Sequence, residues 1–183
     1  MKSSISVIVC LLSSMIWAQQ YHTEFAYENK NITIQNSYPK GGQKYIASDG
    51  KPYTFVIFWS RITNETNRKL KLALHLPNDA FTIPSSPQVN FYFYVPNMEM
   101  ALENESLSNY GLDLESYLNE NWKSSSNLVK TILPRESFLF YHVALSDKGV
   151  NGVVRAGFEL QEHTLFYKIN DLEINCGDIK FLD

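Results

Sequence analysis

Cysteine is scarce in this chain, with two in 183 residues. That excludes a small fold stapled by several disulfides. One of the two, Cys10, lies in an apolar amino-terminal stretch, so removal of that stretch would leave Cys176 with no internal partner. The burial of apolar side chains must then supply the stability. Eight glycines and seven prolines are too few for a collagen-like repeat or a low-complexity linker. Charge of one sign is missing as well. Sixteen Lys and Arg stand against 19 Asp and Glu, a formal net charge of −3, and no basic run exceeds Arg68-Lys69-Leu70-Lys71. A nucleic-acid partner, which needs a concentrated basic face to displace counterions, is not expected.

Long hydrophobic runs are also lacking. Ile5–Trp17 is apolar apart from serines, but at about 13 residues it falls short of the roughly 20 that cross a bilayer. With Lys2 before it and the small residue Ala18 after it, the segment 1–18 reads as a secretory signal peptide. Cleavage there would leave Gln19 at the amino terminus. The expected location is therefore secreted or periplasmic, with no stable membrane span after cleavage.

Motifs of catalysis and metal binding are equally sparse. The four histidines, His22, His75, His142 and His163, never fall at HxH or HExxH spacing, and there is no CxxC. Neither a G-x-S-x-G elbow nor a Gly-rich phosphate loop is present. No cofactor, metal or catalytic residue is assigned. His75 and His142 fall within alternating segments and are expected at sheet surfaces, and Cys176 is expected as a small buried hydrophobe. Three N-x-[ST] triplets, at Asn31, Asn64 and Asn104, would be glycan acceptors only in a eukaryotic secretory pathway.

What the chain does have is period-two alternation and aromatic side chains, 14% of its residues, including 11 Tyr and 11 Phe. Leu70, Leu72, Leu74 and Leu76 alternate with Lys71, Ala73 and His75, as on a half-buried strand. Val154, Ala156, Phe158 and Leu160 repeat the pattern. Tyr53 to Ile62 is apolar at nearly every position and reads as a central strand covered on both faces. Further strands are expected near 25–26, 31–35, 44–47, 89–95, 128–133, 138–144, 165–169 and 172–175. Asp49-Gly50 marks a tight hairpin. The region near 97–126 breaks this rhythm. Leu114, Tyr117, Leu118 and Trp122 follow helical spacing, with Asp113 as the N-cap.

Residues 19–183 thus read as one mainly-β domain, an antiparallel sandwich with a helical insertion near 97–126. The Phe55–Pro77 stretch (strand, Asn/Thr turn, alternating-Leu strand) and the segment Ile132-Leu133-Pro134-Arg135-Glu136-Ser137-Phe138 resemble adjacent strands of an immunoglobulin-like sandwich. The leader ending Ala18-Gln19-Gln20 and the Asn, Lys, Ile and Tyr usage are similar to those of secreted Bacteroidetes-type proteins. That resemblance implies an immunoglobulin-like domain and carries no catalytic residues.

The functional expectation is a secreted or cell-envelope module that binds another protein without catalysis. The long insertion is its contact surface, through the aromatics Tyr110, Tyr117 and Trp122. A first alternative is a carbohydrate-binding sandwich that stacks polysaccharide on exposed rings, with Tyr92 and Tyr94 as further candidates. A second is a hydrolase with an unrecognised site.

Overall fold

The computed structural model describes residues 23–28, 32–150 and 152–182. The expected leader, 1–18, lies outside them, as does Asn31. Among the described residues twelve strands and one α-helix follow in order: β1 (Thr23–Glu28), β2 (Ile32–Ser37), β3 (Lys40–Ile46), β4 (Pro52–Asn64), β5 (Lys69–Leu76), β6 (Phe81–Ile83), β7 (Ser86–Tyr94), α1 (Leu114–Asn121), β8 (Ser126–Ile132), β9 (Ser137–Ser146), β10 (Ala156–Gln161), β11 (Thr164–Ile169) and β12 (Leu172–Leu182). Every pairing is antiparallel. One sheet runs β1-β2-β4-β9-β7-β6 with β3 also on β4; the other runs β10-β11-β12-β5-β8. The two stack as a sandwich.

Alternation explains the stacking. On β5 the four leucines point inward and are buried. They meet Phe58 and Ile62 of β4, Phe91 and Phe93 of β7, Phe138 and Phe140 of β9 and Phe158 of β10 in one apolar cluster. The other face of the first sheet is buried too. Tyr53, Phe55, Ile57 and Trp59, the alternate residues of β4, join Tyr141, Val143 and Leu145 of β9 in a second cluster. Its cover is the insertion, through Met100, Tyr110, Leu112, Leu114 and Leu118. This is why β4 is apolar at nearly every position: each of its faces has its own core.

Three sequence expectations need correction. His142 is not at a sheet surface; it is fully buried between the sheets. β12 runs on to Leu182 instead of stopping near Asn175. Gly177, with φ 143°, lies at a register shift that lets the strand pair first with β11 and then with β5. A Cβ there would sit 2.0 Å from the Ala73 carbonyl oxygen, so only glycine fits. Asn64 is buried, and its Nδ2 donates to the carbonyls of Arg68, Ile132 and Leu133. It is a structural stitch at the turn between β4 and β5 and presents no free amide to a glycan.

Candidate functional site

The longest strand, β4, organises the region. Its far edge pairs with β9 from Thr54 to Thr63. Its near edge is shared by two shorter strands, β2 opposite Ser60–Asn64 and β3 opposite Pro52–Ile57. β2 and β3 are therefore collinear, separated by a break at Tyr38-Pro39. β1 covers the outer edge of β2, whereas β3 has no strand on its outer edge among the described residues. The turn back into β4 closes on Gly50, with φ 77°, whose N–H donates to the Ala47 carbonyl.

The insertion leaves β7 and returns into β8 at neighbouring points, because the Val95 N–H donates to Ser126 Oγ. Inside it α1 starts where the sequence places it. The Asp113 side chain accepts from the Ser116 N–H and hydroxyl, and these bonds hold its carboxyl below the usual carboxylate range. Leu114 and Leu118 are buried against the sheet. Just before α1, three successive residues, Asn109, Tyr110 and Gly111, adopt positive φ of 53°, 54° and 76°. For a bulky tyrosine that conformation is strained.

Anchors at Tyr110 hold the strain in place. Its hydroxyl donates to the Tyr38 carbonyl at 2.6 Å, and its own carbonyl accepts from the Tyr141 hydroxyl at 3.0 Å. The Lys40 ammonium lies 4.2 Å from its ring centre and donates to the carbonyls of Glu105 and Leu107. Tyr110 thus clamps the insertion onto the break between β2 and β3. At 3% exposure it is no free platform, and burial raises its hydroxyl pKa.

The other sequence-selected aromatics also turn inward. Trp122 is half-buried and meets Tyr45, Tyr53 and Tyr92 at centroid distances of 5.9, 4.9 and 6.2 Å. Tyr117 is half-buried against Tyr94, 6.3 Å away and edge-on. Tyr94 is buried, its hydroxyl pushed up to about 12 by desolvation. The structure brings Tyr110, Tyr117 and Trp122 together only as parts of one layer beneath the insertion. Helical spacing located that layer but could not tell which side of α1 faces solvent.

Beside this layer runs a groove of about 430 Å³, lined by Gln43, Lys44, Tyr45 and Ile46 of β3, by Phe55, and by Asn109 and residues 112–115 of the insertion. The four consecutive β3 residues border the groove along the strand, and Phe55 of the neighbouring β4 borders it as well. Ile46 is 60% exposed there. Asn109 Oδ1 is buried without a hydrogen-bond partner. The acids Asp113 and Glu115 stand on the insertion wall. Sequence reasoning missed this groove because it depends on which strand edge is left uncovered.

A second constellation lies sealed between the sheets. Ser60 Oγ is 3.0 Å from His142 Nε2, and His142 Nδ1 is 3.3 Å from the Tyr167 hydroxyl. Ser60 also donates to Asn36 Oδ1, which accepts from the Phe158 N–H, while Asn36 Nδ2 donates to the Phe158 carbonyl. Serine beside histidine is the pairing of a hydrolase, yet Ser60, His142 and Tyr167 are all fully buried. Burial pushes the imidazole down to about 3, which keeps it neutral. Cys176 is buried nearby, donates to the Leu165 carbonyl at 3.3 Å and is pushed up to about 12, so its thiol stays protonated. These groups stitch the sheets together and offer no approach to a substrate.

Among the described residues no three His, Cys, Asp or Glu side chains gather as metal ligands, and no helix is long and apolar enough to cross a membrane. No family model, curated protein or solved structure matches the chain.

Proposed function

We propose that the protein is a secreted or periplasmic binding module that contacts another protein, without catalysis, through the groove between β3 and the insertion. The observation that carries this reading is the groove itself: a strand edge with no covering strand among the described residues, an exposed Ile46 and an insertion wall pinned by a strained turn. Strain held by several hydrogen bonds marks places where a fixed backbone shape matters. The insertion therefore serves binding by building one wall of a site, and its aromatics serve by fixing that wall. Polysaccharide stacking draws less support, because Tyr94 and Tyr110 are buried, Tyr92 and Trp122 lean on each other and Tyr117 packs edge-on against Tyr94.

The test places a photo-crosslinking amino acid at position 46 and, as a control, at the equally exposed position 153 in the native cells. One discrete protein adduct from position 46, absent from position 153, is expected. Identical adducts from both positions, or none from position 46, overturn the reading. Mass spectrometry of the exported chain should show Gln19 as its first residue.

A further inference from the structure

The groove's geometry says more about what it would hold, an inference that rests on the binding role proposed above. We propose that its occupant is an extended segment of a partner protein, added as an antiparallel strand to the edge of β3 that carries no strand among the described residues. An uncovered strand edge presents unpaired N–H and C=O groups, and main-chain hydrogen bonds to such an edge supply affinity in a sequence-tolerant way. The stretch beyond the register shift between Gly41 and Lys44 resumes regular pairing with β4 at Lys44, Tyr45 and Ile46. That is room for about four paired residues.

The two sides of the added strand meet different surroundings. Tyr45 belongs to the cluster beneath the insertion, so residues of the guest on that side face the insertion wall. There they meet the carboxylates of Asp113 and Glu115. Alternate residues of the guest point the other way, beside Ile46. The complementary segment therefore alternates basic and apolar side chains, its basic residues against the acids of the wall. A second copy of this chain fits less well, because its β3 carries Tyr45 flanked by Lys44 and Ile46, one basic residue where the wall favours two. Lys40, the other cation on β3, is already engaged with the Glu105 and Leu107 carbonyls and the Tyr110 ring.

The experiment titrates the full exported chain with a blocked seven-residue peptide of alternating Val and Lys, followed by fluorescence anisotropy. Saturable binding is expected. It should weaken about tenfold when Glu replaces Lys in the peptide, and about tenfold when alternate peptide amides are N-methylated, which removes main-chain donors and leaves the side chains. Glu115→Lys should reverse the preference between the Lys and Glu peptides. Gln43→Pro and Ile46→Asp should each weaken binding about tenfold, with circular dichroism confirming that both variants fold. Equal binding of the methylated peptide, equal binding by both variants, or no saturation at millimolar peptide overturns the proposal. So does a concentration-dependent dimer that Gln43→Pro dissolves, which would make the occupant a second copy. A partner crosslinked from position 46 with no peptide binding leaves the binding role standing and removes strand addition. Peptide binding with no crosslinked partner removes the binding role and, with it, the partner segment proposed as occupant.

Discussion

Asn36 shows how much one side chain can carry in a sandwich with no internal disulfide. From β2 it both donates to and accepts from the backbone of Phe158 on β10, in the opposite sheet, and it accepts from Ser60 on β4. Burying an amide is costly unless its capacity is met, and three of its four possible bonds are made here. Asn36→Ala would leave the Phe158 N–H and C=O buried and unpaired. We expect a loss of about 3 kcal/mol of unfolding free energy, read as a lower urea midpoint at unchanged m-value. His142, the next polar group but one, is surrounded by rings: Phe58 stacks on it at 5.0 Å, and Phe158 and Tyr167 meet it edge-on at 5.2 and 5.4 Å. Its strand position was evident from the sequence. Its side was not, because the β9 segment is apolar on both faces and gives alternation nothing to choose between.

At the scale of the element, the insertion is a cover as well as a wall. Leu118 on α1 is fully buried against the outer face of the first sheet. Leu118→Ala should cost about 3 kcal/mol through lost transfer energy and the cavity left behind, measured by denaturant unfolding. Removing residues 97–125 altogether would bare Tyr53, Phe55, Ile57 and Trp59. An apolar face of that extent is an aggregation surface, so the deletion should yield insoluble chain in place of a bare sandwich. The sequence marked the helix closely, from the Asp113 cap and the leucine spacing, and α1 ends one residue before Trp122. The left-handed turn at Asn109-Tyr110-Gly111 had no such signal beyond its glycine. What holds it are contacts with Tyr38, Lys40 and Tyr141, remote in the chain.

For the whole molecule, the sealed histidine couples stability to pH. In the folded chain His142 resists protonation down to about pH 3, whereas an unfolded histidine titrates near 6.5. Between those values the unfolded chain binds the extra proton, so stability is fully present above about pH 6.5 and falls as the pH drops. The slope should approach about 1.4 kcal/mol per pH unit below pH 6. Comparing urea midpoints at pH 7, 6 and 5 checks this above the range where most carboxylates titrate. A neutral His142→Gln variant should flatten the slope between pH 6.5 and 5, even if its overall stability is lower. An unchanged slope would mean that another group carries it.

Local pattern was enough to place most of the strands (though neither β6 nor the end of β12), the Asp49-Gly50 hairpin, the capped helix and a core built of aromatics without disulfides. Each of these depends on residues a few positions apart, where periodicity and turn chemistry act directly. Only the tertiary structure decided which edge of β4's neighbours carries no strand among the described residues, which side of the insertion is buried, and that Asn36, Ser60, His142 and Tyr167 converge between the sheets. Those outcomes join residues up to 122 positions apart. They follow from how two sheets and a cover share a limited apolar surface, and no window of the sequence contains that competition.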